Sequence, residues 1–253
     1  MGCATRHTET VPPIMRTFTD ADQAYREAIE APGRDLRAAF ASAFAVSTVD
    51  LNTTDITQAV LLRLKSFMLC QEQIKAELGK IYAAPAADFF VETVCFFLKV
   101  VLGKLDSSLT VASEKNILRR RGGMRPDISI WRGETVVGAI ECKTQLGWNR
   151  RGWLPEFEKR EKQLTADFPH AKLFLLVMTG SNWPGFGDDT RVGQQFFVLL
   201  KDTWPNLFEV SATATTVFHP IEAIFREVVN HATAITKFKS TCAKSRAGAA
   251  TSS

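Results

Sequence analysis

The sequence predicts an α/β fold, in which a helical N-terminal region precedes helices and strands arranged around a mixed central sheet. Three observations predict this class. Apolar residues recur at helical spacing over residues 20–82, strand-forming runs joined by a turn lie at 107–144, and a nearly all-apolar run lies at 172–179. An amphipathic helix before that last run connects neighbouring strands, as in other α/β proteins.

The predicted N-terminal region covers residues 1–82. Its first two helices, over 20–31 and 34–46, are separated at Pro32-Gly33, because proline removes a helix hydrogen bond and glycine is a poor helix former. A longer helix over 55–82 carries an amphipathic apolar stripe.

The predicted α/β core covers residues 83–236, and residues 237–253 form a basic tail that we expect to be disordered. The core elements are a helix over 85–104, strands over 107–113, 125–131 and 135–144, a helix over 154–168, strands over 172–179 and 196–200, and a helix over 219–235. Arg132-Gly133-Glu134 forms a turn, which predicts a hairpin of the second and third strands. The all-apolar strand suits the centre of a sheet that is covered on both faces.

Composition narrows the class of protein. The chain has 253 residues, 45% of them hydrophobic and 23% charged, which are ordinary globular proportions. The five cysteines are widely spaced and include no CxxC pair, so we do not expect a structural zinc site. This pattern is typical of a reducing compartment, so we expect a cytoplasmic protein. The most apolar stretch, residues 89–102, is too short to span a membrane, so no membrane association is expected.

Positive charge is concentrated in one part of the chain. Residues 115–163 hold 12 basic and 6 acidic side chains, a net charge of +6, whereas the whole chain has +4. Local positive charge is what a polyanion-binding site requires, because phosphate neutralisation supplies most non-specific affinity for nucleic acids. A solvated basic surface is an equally good interpretation of charge alone.

The residues with the clearest chemistry lie on the predicted hairpin. Side chains alternate along a strand, so Glu141 and Lys143 share one face while Cys142 points to the other. Asp127 begins the partner strand and can lie beside Glu141. Two carboxylates and the main-chain carbonyl of Cys142 would form an oxygen-rich site of the kind that Mg²⁺ prefers. Lys143 could then orient or deprotonate a bound water.

This pattern resembles a known family. Pro126-Asp127, followed fourteen positions later by Glu141-Cys142-Lys143, is similar to the motif of the PD-(D/E)xK nuclease superfamily, which has the restriction-endonuclease-like fold. The resemblance implies that Asp127 and Glu141 bind the metal and that Lys143 is the catalytic lysine. It also implies a further acid on the first core helix, for which Glu92 is the candidate. The family core of helix, three strands, helix and strand agrees with the order predicted above.

The resemblance implies a Mg²⁺-dependent endonuclease that hydrolyses double-stranded DNA, with Mn²⁺ able to substitute for Mg²⁺. A type II restriction enzyme is the form that we expect, because the chain is short and carries no ATPase motif. Double-strand cleavage usually needs two active sites, so a homodimer is expected. Two alternatives stay open: a non-catalytic nucleic-acid-binding or assembly protein with this fold, and a nuclease that acts on RNA or branched DNA.

Six residues around the motif are candidates for substrate binding. They are Arg119, Arg120, Arg121, Gln145, Arg150 and Arg151. The arginines can clasp phosphates, and Gln145 shares the strand face of Lys143. Each of these residues also has a plainer interpretation. The arginines could belong to a solvated turn, and Glu141 and Lys143 could form an ordinary ion pair at a sheet edge. Glu92 could pair with Lys99.

Overall fold

A computed structural model of the chain describes residues 17–118, 123–146, 152–181 and 188–250, with the backbone alone given beyond residue 236. The helices are α1 (Phe18–Ala21), α2 (Gln23–Ala45), α3 (Asp55–Glu77), α4 (Ala87–Leu105), α5 (Trp153–Asp167), α6 (Thr213–Thr216) and α7 (Ile221–Ala250). The strands are β1 (Leu109–Ser113), β2 (Ile128–Arg132), β3 (Thr135–Lys143), β4 (Lys172–Thr179) and β5 (Phe196–Leu200). The chain is thus an α/β protein. Among the described helices, none is both long and apolar enough to cross a membrane.

The first compact unit, Met1–Val46, is helical where it is described. The helix α1 begins with a capping box, in which Thr17 and Asp20 each bond the backbone N–H of the other. The predicted break at Pro32-Gly33 is wrong, because α2 runs through both residues. Proline inside a helix costs about 3 kcal/mol through a lost hydrogen bond and a ring clash. The alanine-rich sequence on both sides of Pro32 favours the helical conformation and opposes this cost.

The second unit, Ser47–Ser253, contains the sheet and also α3. The pattern in the sequence predicts that α3 belongs to a helical N-terminal region that ends at residue 82. In the structure Val60, Leu61 and Leu64 of α3 are completely buried in the same core cluster as α4 and α7. The boundary between the units therefore lies before α3.

The sheet has the strand order β1-β2-β3-β4-β5. The first three strands pair antiparallel, and β3, β4 and β5 pair parallel, so the predicted mixed sheet is confirmed. Gly133 at the predicted turn has a φ of 59°, a conformation that glycine adopts readily. The crossover from β3 to β4 passes through α5, as parallel pairing requires.

Each face of the sheet is covered by apolar residues. On one face α4 and α7 pack with side chains such as Ile140, Cys142 and Phe174. On the other face α5 contributes Phe157 and Leu164 to a cluster with the remaining strand residues. Glu141 and Lys143 lie at the end of β3, and the packing on both faces of the sheet holds the backbone of this strand in place.

The helix α7 departs from the expected C-terminal boundary. The sequence pattern predicts that this helix ends at residue 235 and that a disordered tail begins at 237, whereas the helix runs from Ile221 to Ala250. Alanine and lysine make up seven of the fourteen residues 237–250, and both are good helix formers.

Candidate active site

Asp127, Glu141 and Lys143 converge where β2 begins and β3 ends. The register pairs Ile128 with Ile140, which places the preceding Asp127 next to the end of β3. The Oδ2 atom of Asp127 accepts a hydrogen bond of 2.7 Å from the backbone N–H of Cys142. The Nζ atom of Lys143 lies 3.7 Å from that Oδ2 and 3.9 Å from Oε2 of Glu141. One lysine therefore sits between two carboxylates.

Glu141 is the buried member of this group. It is only 4% exposed, whereas the side chain of Lys143 is 49% exposed. Glu141 lies on the face of the sheet that α5 covers, and the Cys142 side chain lies in the opposite cluster, as strand alternation requires. Burial raises the pKa of the Cys142 thiol well above its ordinary value, so this side chain is a poor nucleophile.

Arg160 on α5 also belongs to the site, although it is not among the residues predicted from the sequence. Its Nη2 atom donates a 2.6 Å hydrogen bond to Oε1 of Glu141 and a 3.1 Å bond to the carbonyl oxygen of Arg125. A signal for it exists in the sequence. Arg160 lies three residues after Phe157 and four before Leu164, so it lies on the helix face that was expected to be buried.

The surroundings of Glu141 oppose its ionisation. Burial raises the pKa of Glu141 to about 7, because a charged carboxylate is poorly solvated there. The neighbouring Asp127 also raises this pKa, while Arg160 and Lys143 lower it. A carboxyl group that is easily protonated near neutral pH, beside a second acid, is typical of functional sites.

Glu92 is not brought into this group. It is exposed on α4, which packs on the face of the sheet opposite to Glu141. Within the described residues it has no ion pair or hydrogen bond to Asp127, Glu141 or Lys143, and none to Lys99. No contact among the described residues therefore supports either a role for Glu92 in the metal site or its pairing with Lys99.

The predicted substrate-binding residues have mixed outcomes. Gln145 lies two residues past β3, and its Nε2 atom donates a 2.9 Å hydrogen bond to Oγ of Ser181. It lines the same cavity as Glu141 and Lys143. The five arginines lie outside the described residues, namely Arg119, Arg120, Arg121, Arg150 and Arg151.

The site offers few protein ligands for a metal ion. Within the described ranges, His, Cys, Asp and Glu side chains form no group of three or more that could hold one. The site instead presents two carboxylates, the backbone of Cys142 and two cationic side chains. This set can hold one hard cation with help from water or substrate, move a proton through Lys143, and stabilise negative charge on a bound anion.

Comparisons of the chain with protein-family models, with curated proteins and with solved structures gave no match.

Proposed function

We propose that the protein is a Mg²⁺-dependent endonuclease that hydrolyses phosphodiester bonds in DNA, with a restriction-endonuclease-like core. One observation carries the proposal: Lys143 lies within 4 Å of both Asp127 and Glu141, at the end of a strand where Glu141 is buried. A purely structural ion pair gives no reason to bury a second, easily protonated acid beside the first.

The donor set fits a magnesium ion. Mg²⁺ is usually held by one or two carboxylates, several waters and the substrate phosphate, so a group of three acids is not needed. Asp127 and Glu141 would hold the ion, and the carbonyl of Cys142 between them would be a further ligand. Each carboxylate has about four lone-pair sites, so the bonds to Cys142 and Arg160 do not exhaust it. When bound, the ion would polarise the phosphate and acidify a water; Mn²⁺ has similar ligand preferences.

The chain's own cations have separate roles. Lys143 is half exposed and close to both acids, so it can orient the attacking water or take its proton. Arg160 is joined to Glu141 and to the carbonyl of Arg125, so it fixes the buried acid against the start of the partner strand. A fixed acid binds a cation without first losing side-chain freedom.

The positive charge of the segment around the site indicates the class of substrate. The segment around the site carries a net charge of +6, which favours a long polyanion over a small phosphate ester. Double-stranded DNA is the substrate that we propose, cut by a type II restriction enzyme that acts as a homodimer in the cytoplasm. The choice of restriction over repair comes from chain size and the resemblance, not from these residues.

Cleavage of supercoiled and linear duplex DNA, with Mg²⁺ or with EDTA, tests the proposal. The variant is Lys143→Ala, and the matched control is Lys80→Ala, which removes an exposed lysine just after the turn that follows α3. We expect discrete fragments from the wild type and from Lys80→Ala, no fragments in EDTA, and a loss of about 10³-fold in rate for Lys143→Ala.

The other outcomes distinguish the alternatives. A smear or nicked circles that depend on Lys143 would keep the nuclease and reject the restriction type. DNA binding without cleavage by any variant would favour a non-catalytic binding protein. Preferred cleavage of RNA or of branched DNA in competition would change the substrate class.

A further inference from the structure

A cavity of about 340 Å³ lies beside the acid pair. Glu141, Lys143 and Arg160 form one part of its lining, and Leu146, Phe157 and Leu175 form an apolar part. The three apolar residues are at most 9% exposed. The cavity is thus continuous with the site, but most of its wall has no charge.

Its aromatic wall is held in place by the core. The rings of Trp153 and Phe157 both contact Phe196 edge to face, with centroids 5.2 Å and 5.0 Å away. Rings fixed in this way form a rigid surface before any ligand arrives, so little freedom is lost on binding.

The lining also carries polar groups with different hydrogen-bonding capacity. Gln145 has an amide, which can donate and accept, and Glu156 has a carboxylate, which accepts. The Nε atom of Arg160 is buried and has no hydrogen-bond partner among the described residues. A buried donor without an acceptor is costly, so it favours a ligand with an acceptor atom.

A continuous duplex does not supply a group that matches this cavity. Its outer surface is sugar and charged phosphate, and its flat apolar bases are stacked inside. Enzymes that receive a base in a pocket act on single strands or turn the nucleotide out of the stack. The volume is near the lower end of the range for small-ligand pockets, which suits one nucleoside.

We propose that this cavity accepts one nucleobase adjoining the phosphate that is cut, turned out of the stack when the DNA is fully paired, so that a nucleotide already unpaired at that point is cut fastest. The inference rests on the proposed function and refines its substrate class. Trp153 and Phe157 provide the apolar surface, and Gln145 and Glu156 contact the edge of the base. Lys143 and the two acids act on the phosphate next to it.

Cleavage mapping of two DNAs tests this inference: a fully paired duplex, and the same duplex with a single unpaired nucleotide. The cavity is filled by Leu146→Phe, and Leu207→Phe is the matched control because Leu207 is 68% exposed. We expect wild type to cut next to the unpaired nucleotide about tenfold faster than at the same position when paired, since stacking contributes about that factor per base. The ratio should fall to about one in Leu146→Phe and persist in Leu207→Phe.

A second variant guards against misfolding of the first. The side chain of Glu156 is 59% exposed, so Glu156→Gln should fold, and it should change the relative rates for the four unpaired bases. Equal cleavage of paired and unpaired DNA that still requires Lys143 overturns this inference alone. A preference unaltered in both cavity variants also overturns it. No Mg²⁺-dependent cleavage of either DNA overturns the proposed function and the inference together.

Discussion

Two buried glutamates, in different parts of the second unit, are stabilised in opposite ways. Glu222 in the first turn of α7 is completely buried, and it accepts hydrogen bonds from the backbone N–H and the hydroxyl of Thr57 in α3. The Thr57 hydroxyl also accepts a 2.7 Å bond from the N–H of Ile221. Glu141 instead contacts the cations Arg160 and Lys143 and has a second acid as its neighbour.

The difference separates a structural carboxylate from a candidate functional one. Glu222 lies at the N-terminal ends of two helices, where backbone and hydroxyl donors and the positive ends of the helix dipoles surround its carboxyl group. Glu141 is satisfied by charged side chains, one of them half exposed, beside a cavity. Burial alone therefore does not identify a site; the kind of partner does.

The largest expected effect is on activity. Replacing Glu141 by Gln removes a proposed metal-binding charge while keeping the shape, so cleavage should fall about 10³-fold. The matched control is Glu222→Gln, which changes the same group at an equally buried position. If the protein folds, that control should cleave DNA within about threefold of wild type. Equal losses in both variants, measured at a temperature where both are folded, would remove the distinction.

The next effect is on stability. Glu222→Ala leaves the N–H and hydroxyl of Thr57 buried without their acceptor, which should lower the free energy of unfolding by about 3 kcal/mol. Urea unfolding of Glu222→Ala, Thr57→Val and the double variant measures the coupling between the two residues. Additive losses in this cycle would show that the two side chains act independently.

The third effect concerns pH. The folded-state pKa of Glu141, about 7, is above the ordinary value of 4.5, so the folded protein binds this proton more tightly than the unfolded chain. Its contribution is fully present below pH 4.5 and is lost as pH rises through 7. Urea unfolding in EDTA should show wild type losing about 2 to 3 kcal/mol relative to Glu141→Gln between these pH values. Parallel pH profiles for the two proteins would contradict the raised pKa.

Strand alternation and turn chemistry were sufficient to predict that Asp127, Glu141 and Lys143 lie together. Strand alternation places Glu141 and Lys143 together, and a hairpin turn with glycine brings Asp127 beside them. The contact between Arg160 and Glu141 depends on the angle at which α5 crosses the sheet. The residue patterns of α5 and β3 do not predict that angle, so Arg160 was missed.

An irregularity in the pairing of β2 with β3 also makes the side chains of β3 depart from strict alternation. Strict alternation along β3 would place Val137 on the face of Glu141 and Val136 on the opposite face. A register shift between Ile130 and Trp131 inserts an extra residue, so Val137 packs with the α4 and α7 cluster and Val136 with the α5 cluster. Bulges depend on pairing between strands, so a strand taken alone does not reveal them.

The smallest expected effect tests the role of Arg160. Because Arg160 lowers the pKa of Glu141, Arg160→Gln should raise this pKa further and move the pH-dependent loss of stability to higher pH. Arg160→Lys keeps the charge but loses the planar fork, so it should leave the pH midpoint closer to that of wild type. The midpoints come from urea unfolding in EDTA across the pH range. If Arg160→Gln left the midpoint unchanged, the guanidinium would not be the charge that balances Glu141, and the contrast with Glu222 would rest on Lys143 alone.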